Sequence, residues 1–204
     1  NTLSGTQFAN YNVAIGRGSM STAALSNANV GVGVNTLAAL SQSSGTDTYN
    51  VAVGYNAGKL VSTGIENVLI GGLTGDALTT GIENTAIGHQ ALSVAQTSHA
   101  NVAIGHQSLA SQSADGYTFN TAVGYNSGQQ ITSGSQQVLI GAYAGDALTT
   151  GSQNVAIGYR ALSAEDTGGR NVAIGHDALL NQNADTSNYN IAVGYSAGKE
   201  ITTG

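Results

Sequence analysis

Short apolar segments alternate with polar ones along the whole chain, and the first complete one is Asn-Val-Ala-Ile-Gly at residues 12–16. Val13 and Ile15 occupy alternate positions within it, which is the period of a β-strand. We expect this β-branched face to line a packed interior, because such side chains suit a pleated, buried surface. The other face carries Ala14 and should be covered by another subunit, so Ala14→Glu or Ala103→Glu would disrupt assembly.

The five-residue pattern returns ten more times with small changes. A fixed period with one β-type segment per period predicts an all-β, parallel β-solenoid whose coils bury their apolar surfaces against one another. The steps between copies are 17–21 residues, and a longer period of 70 residues groups four coils into one unit. We expect residues 1–204 to form one continuous solenoid domain of about a dozen coils, cut from a longer chain. The patterns close at Gly16, Gly33, Gly54, Gly71, Gly88, Gly105, Gly124, Gly141, Gly158, Gly175 and Gly194.

Most coils also carry a large apolar residue at one of two positions after the closing glycine. Four residues after it stand Leu37, Leu92, Leu109, Leu162 and Leu179. Coils with glycine at that position carry the large residue three positions later, as Val61, Leu78, Ile131, Leu148 and Ile201. We expect these residues to fill the interior from a second wall, itself a short strand, and each burial contributes about 1.5–3 kcal/mol. The sequence leaves open whether Leu69 and Leu139 fill the coil or a subunit interface.

Asparagine opens ten of the eleven patterns, and Gln137 opens the remaining one. Amides stacked about 4.8 Å apart on successive coils can hydrogen-bond along the array, so we expect a structural ladder. The closing glycines lie where each strand must turn, and glycine adopts a positive φ without a Cβ clash. The predicted ladder consists of Asn12, Asn29, Asn50, Asn67, Asn84, Asn101, Asn120, Asn154, Asn171 and Asn190.

Composition narrows the classes of function. Charged residues make up 8% of the chain, Lys plus Arg number 5, and the net charge is −6. This balance argues against a nucleic-acid partner and against a polybasic membrane-binding surface. The sequence contains no apolar run of about 18 residues, so we expect no membrane insertion. Without cysteine, no disulfide holds the body together.

The segments Asn-Thr-Ala-Val-Gly-Tyr at 120–125 and Asn-Val-Ala-Ile-Gly-Tyr-Arg-Ala-Leu at 154–162 resemble the head repeats of trimeric autotransporter adhesins of the YadA type. The same module is found in bacteriophage tail fibres, and the resemblance covers essentially the whole chain. It implies a left-handed parallel β-roll, a homotrimer packed around its own long axis, and surface attachment as the task.

The position after each closing glycine is often occupied by a flat ring. Stacked Tyr and His rings suit sugar or peptide surfaces, which makes this column the candidate binding surface. His89 and His106 should be neighbours on adjacent coils, but one His per coil without a nearby Cys or carboxylate is a poor metal site. We therefore predict no metal and no cofactor. The candidate column consists of Tyr55, His89, His106, Tyr125, Tyr159, His176 and Tyr195.

The carboxylates suggest no catalytic pair. Glu165 and Asp166 are sequence neighbours and should point apart on an extended segment, whereas glycoside hydrolysis needs two carboxyl groups held across a cleft. Asp76 and Asp146 recur in Gly-Asp-Ala-Leu-Thr-Thr segments, where a turn hydrogen bond is favoured over calcium binding. We predict no catalytic residues and a protein that is not an enzyme.

These features predict a structural and adhesive fibre segment, a homotrimeric shaft or head on a cell-surface appendage or a virion tail fibre. Its partners would be copies of itself and a cell-surface glycan or matrix protein, held by many weak contacts at once. The alternative is a subunit that polymerises end to end into an extracellular filament or sheath. A polysaccharide-cleaving tailspike is the least favoured class.

Overall fold

The computed structural model describes residues 10–203, and within them the chain is all-β with no helix. It forms a parallel β-solenoid of about 11 turns, which confirms the predicted fold class. The main sheet contains β1 Val13–Ile15, β3 Val30–Val32, β5 Val51–Val53, β6 Val68–Ile70, β7 Thr85–Ile87, β9 Val102–Ile104, β11 Thr121–Val123, β12 Val138–Ile140, β13 Val155–Ile157, β14 Val172–Ile174 and β15 Ile191–Val193. Four strands lie in connecting segments, namely β2 Ala24–Asn27, β4 Ser41–Asp47, β8 Ser98–His99 and β10 Gly116–Tyr117.

Each strand of the main sheet pairs in parallel with the equivalent strand of the next coil. The register keeps equivalent positions together, so Ala103 of β9 pairs with Ala86 of β7 and with Ala122 of β11. The connecting strands form two separate pairs, β2 with β4 and β8 with β10. This stacking turns every position of the repeat into a column along the solenoid.

The two faces of the strands are exchanged relative to the sequence-based expectation. The central alanines lie inside the coil, where Ala86, Ala103 and Ala156 are fully buried. The flanking β-branched residues remain partly exposed, with Ile70 at 36% and Ile140 at 39%. The expected inward β-branched face was wrong because the opposite wall already fills the narrow interior with large side chains, which leaves room for little more than a methyl group. A glutamate at Ala103 would therefore disrupt the coil itself and would not report on subunit contacts.

The second wall of each coil is a turn and not the short strand expected from the sequence. It holds two residues in the left-handed region, for example Gln90 with φ 57° and Leu92 with φ 52°. This backbone cannot continue a β-ladder, yet it directs a large residue into the coil. The expected filler residues are fully buried except Ile201, which is 38% exposed. Met20, four residues after the first closing glycine, is also fully buried and fills the first coil.

Leu69 and Leu139 fill the coil interior, since both are fully buried within the single chain. A Cβ built on Gly58 would lie 2.7 Å from Leu69 Cδ1, and one built on Gly75 would lie 2.8 Å from Leu69 Cδ2. Leu69 therefore occupies space that two successive coils leave open by carrying glycine in place of leucine. Placing leucine on the strand where the turns carry glycine keeps the volume of side chains inside the coil nearly constant, which is what a close-packed core requires.

Consecutive coils come very close at the glycine that closes each pattern. Gly105 has φ 133°, and a Cβ built on it would lie 2.2 Å from the carbonyl oxygen of Gly124 in the next coil. The neighbouring group is backbone and cannot move aside without breaking the inter-coil hydrogen bonds. Glycine is therefore required here by both conformation and space.

Gly105→Ala should lower the free energy of unfolding by roughly 3 kcal/mol, because backbone strain adds to a contact that cannot relax. Thermal unfolding followed by circular dichroism measures the change. Gly45→Ala is the matched control, since no atom lies within 4 Å of a Cβ built there. Equal unfolding midpoints for the two variants would contradict the close approach of the coils.

Candidate functional site

The asparagine column is a nearly continuous buried ladder. Each side-chain oxygen accepts the backbone N–H of the next column residue, at 2.8–3.1 Å over ten successive steps. Asn84 Nδ2 also donates to Asn67 Oδ1 at 3.1 Å and to the Ser98 carbonyl at 2.8 Å. Gln137 keeps the ladder intact by accepting the N–H of Asn154 at 2.9 Å. The column satisfies buried polar groups and is not available to a ligand.

An uncovered strip of β-branched side chains, here called the apolar face, runs along the outside of the main sheet. It consists of the first and third residue of each of the eleven strands, of which twenty are Val or Ile and two are Thr85 and Thr121. None of them is buried. With strands about 4.8 Å apart, the strip is roughly 50 Å long and two side chains wide. It is the largest apolar surface that the described residues expose as a single sheet.

A column of flat rings, here called the ring column, borders the apolar face. Neighbouring rings lie 5.1–6.0 Å apart between centroids, and the pairs range from stacked to edge-on. Two of its three histidines, His89 and His106, stack at 5.4 Å with 16° between their planes. The ring column consists of His89, His106, Tyr125, Tyr143, Tyr159, His176 and Tyr195.

The ring column differs from the predicted column at two positions. Tyr55 is 57% exposed and makes no ring contact within residues 10–203, since Gly72 stands at the equivalent position of the next coil. Tyr143 joins the column although it lies one position later in the repeat, next to Ala142. It contacts Tyr125 at 5.3 Å and Tyr159 at 6.0 Å, which closes the gap. A tyrosine directly beside an interruption in the column was the sequence signal that could have identified it.

A shallow depression of about 330 Å³ lies beside the ring column. Tyr143, Asp146, Tyr159, Arg160 and Ser163 line it, all from two adjacent coils. The Ser163 hydroxyl donates to Asp146 Oδ1 at 2.5 Å. The depression therefore combines two rings with a cation, a carboxylate and a hydroxyl.

Burial raises the pKa of the Asp146 carboxyl above its ordinary value, although the Ser163 hydroxyl, a backbone hydrogen bond and the charge of Arg160 act in the opposite direction. Burial likewise raises the pKa of Asp76, its equivalent 70 residues earlier, where Lys59 is the opposing charge. Both carboxyls are thus held in partly desolvated turns.

Charges next to the depression form a compact cluster around Asp177, which is only 5% exposed. Its carboxylate lies 4.0 Å from Arg160 Nη1 and 3.5 Å from Lys199 Nζ. His176 Nδ1 is also 3.5 Å from it. Arg160 is therefore positioned by a buried carboxylate on the neighbouring coil.

Glu165 and Asp166 have different environments. Glu165 is fully buried at a filler position, where it accepts hydrogen bonds from Gly168 N at 2.7 Å and from Gln182 Nε2 at 2.9 Å. Asp166 is only partly buried. A buried carboxylate was not foreseen at this position, which holds Val, Leu, Ile, Ala or Gln in the other coils. Gln182, at the same position of the next coil, donates a hydrogen bond to it.

Among residues 10–203, no three His, Cys, Asp or Glu side chains come together as a metal-binding group. In the same range no helix is long and apolar enough to cross a membrane. Comparison with protein-family models, with curated proteins and with solved structures finds no match. The apolar face and the ring column with its depression are the functional candidates that the chain itself offers.

Asn84→Ala should destabilise the solenoid by about 1–3 kcal/mol, because the buried N–H of Asn101 loses its acceptor. Urea unfolding measures the difference. Gln153→Ala is the matched control, because it removes only exposed inter-coil contacts, to Gln136 and to Arg170, and should cost about 0.5 kcal/mol or less. Equal losses for both variants would mean that the buried ladder contributes no more than a surface contact.

Asp146 should make stability depend on pH. Because its folded pKa is raised, the stability it contributes is present at acidic pH and is lost as the pH rises through the folded pKa. We therefore expect Asp146→Asn to gain in melting temperature relative to the native protein as the pH rises from about 4, the ordinary pKa of an aspartate, through the raised folded pKa. Asp185→Asn, which removes an exposed carboxylate, controls for the change in net charge. A pH-independent difference for Asp146→Asn would contradict the burial of its charge.

Proposed function

We propose that the chain is a structural and adhesive fibre segment whose solenoids associate through the apolar face into a homotrimer. The observation that carries the proposal is the apolar face itself, with twenty Val and Ile side chains in register and none of them buried. A strip about 50 Å long and 10 Å wide amounts to roughly 500 Å², near the upper end for apolar patches on monomeric proteins.

A second copy of the chain is the cover that fits this surface. Each copy presents the same strip with the same coil spacing, so side chains from parallel copies can interdigitate level by level. β-branched residues are stiff and lose little rotamer freedom on burial, which favours a rigid interface. Association would remove the apolar face from water without any change in the coil.

The narrowness of the strip favours a threefold arrangement. Three strips, each two side chains wide, can face a common axis and enclose a slender apolar core. The resemblance to trimeric adhesin heads supports the same number of subunits. This arrangement uses the β-branched face at the axis, whereas the alanines that were first expected there pack inside each coil.

Attachment is the second part of the proposal. The ring column would lie beside the subunit interface and repeat along each of three subunits, so a weak contact to a glycan or matrix protein would be multiplied by avidity. Such a rod belongs on an extracellular appendage or a virion tail fibre.

Ile104→Lys tests the proposed interface. We expect the native protein to have the mass of a trimer by light scattering and the variant to be monomeric, because three lysines would be buried together near the axis. The β-type circular dichroism spectrum should be unchanged, since Ile104 is not buried in the single chain. Leu60→Lys is the matched control: Leu60 is 45% exposed and lies outside the apolar face, so this variant should remain trimeric.

Three results would overturn the assignment. A monomeric native protein would leave the apolar face without its proposed cover. A variant that keeps the native mass would place the interface elsewhere. Particles of indefinite mass that grow with concentration would favour the end-to-end filament.

A further inference from the structure

The depression beside the ring column has the composition of a binding site for a small polar ring. Tyr143 and Tyr159 meet edge-on, with 88° between their planes and 6.0 Å between their centroids. Their two faces therefore form a corner and not a flat surface. Asp146 lies on the same turn as Tyr143, Ser163 lies on the same turn as Tyr159, and Arg160 completes the lining. The volume of about 330 Å³ is at the small end for ligand sites and suits one or two sugar rings.

The chemistry of this corner matches a pyranose ring. A sugar ring presents C–H groups on one face, which pack on the electron-rich face of a tyrosine. Its adjacent hydroxyls act as both donors and acceptors, and a carboxylate paired with a guanidinium offers the complementary groups side by side. Asp146 and Arg160 line the depression from neighbouring coils, so a carboxylate and a guanidinium face the same space.

The local charge favours an uncharged ligand. Arg160 is offset by Asp146, which lines the same depression, and by Asp177, which lies 4.0 Å away. Lys199 in turn is paired with Asp177 at 3.5 Å. Among the described residues around the depression, Arg160 and Lys199 both have a carboxylate nearby, which leaves no cation there to compensate the carboxylate, phosphate or sulfate of an acidic sugar. The whole chain carries a net charge of −6.

We propose that Tyr143, Asp146, Tyr159, Arg160 and Ser163 form a binding site for one neutral hexose unit of a glycan. The site is built from two coils of one subunit and does not depend on trimer formation. It lies on the ring column but is confined to a single position along it, because this is where two tyrosines, the arginine and the carboxylate coincide.

The chain contains a matched copy of this position in which three of the five proposed binding residues are replaced. The unit 70 residues earlier has the same turn, with Asp76 and Ser93 equivalent to Asp146 and Ser163. The three other lining residues are replaced there by Leu73, His89 and Gln90. The same type of coil already holds Leu, His and Gln at these positions, so introducing them at 143, 159 and 160 should leave the fold intact.

Saturation-transfer NMR with the methyl glycosides of glucose, galactose and mannose tests the site, with methyl glucuronide as the acidic comparison. At least one neutral glycoside should bind the native protein with a Kd on the order of 1 mM. The triple variant Tyr143→Leu, Tyr159→His, Arg160→Gln should weaken this binding at least about tenfold. The reciprocal variant Leu73→Tyr, His89→Tyr, Gln90→Arg should create a second site and double the stoichiometry measured by calorimetry.

Absence of binding by every neutral glycoside, or binding by methyl glucuronide alone, would overturn the proposal. Unchanged binding by a folded triple variant would also overturn it by placing the sugar elsewhere. Should the triple variant fail to fold, the reciprocal variant decides, since an unchanged stoichiometry contradicts the site. Light scattering on the same samples tests the trimer separately. A protein that is trimeric but binds none of the sugars would contradict the hexose site and leave the proposed trimer standing.

Discussion

The narrow interior of each coil is the constraint on which the rest of the structure depends. The space between strand and turn is filled mainly by large side chains from the turn, and the strand adds a large side chain only at Leu69 and Leu139, where the turn carries glycine at Gly75 and Gly145. Close packing leaves the other strands with alanine, or with glycine at Gly31, as the inward residue. The β-branched residues must then face outward, because they occupy the alternate positions of the same strands. The need for an external cover is thus a consequence of how the inside is filled.

Polar groups hold this thin core in a single register. A coil made largely of small residues gains little from apolar burial, so unpaired backbone groups inside it would be costly. The asparagine ladder satisfies such groups at every level, and the change to Gln137 keeps its bond to Asn154 at 2.9 Å. Even the buried carboxylate of Glu165 is tolerated because Gln182 and the N–H of Gly168 complete its hydrogen bonds. Apolar packing sets the size of the coil, and hydrogen bonds fix the alignment between coils.

Periodic features were predictable from the sequence, and features that depend on the opposite wall were not. The repeat, the parallel stacking and the filler residues follow from spacing alone, and Leu92 and Leu148 are buried as expected. The strand faces were misassigned because valine's preference for a pleated surface does not distinguish an interior from an interface. The turn wall was missed because leucine rarely adopts a positive φ, and only the fixed geometry of the stack holds Leu92 at 52°. Tyr143 was missed because it reaches the ring column from a different position of the repeat.

Residue choice is constrained at the interior positions of each coil and free at many exterior positions. This difference explains how such a rod can present binding groups on its surface. Inward columns are limited by volume and hydrogen bonding to a few residue types, whereas the position after each closing glycine holds Tyr, His, Val, Gly, Ala or Arg in different coils. The two turns that carry Asp76 and Asp146 have the same backbone role, yet only the second is surrounded by two tyrosines and an arginine. A change at such a position costs little folding energy because its side chain is at least partly exposed and contacts neighbouring coils only at the surface. Binding groups can therefore be gained or lost one coil at a time while the shaft keeps its assembly.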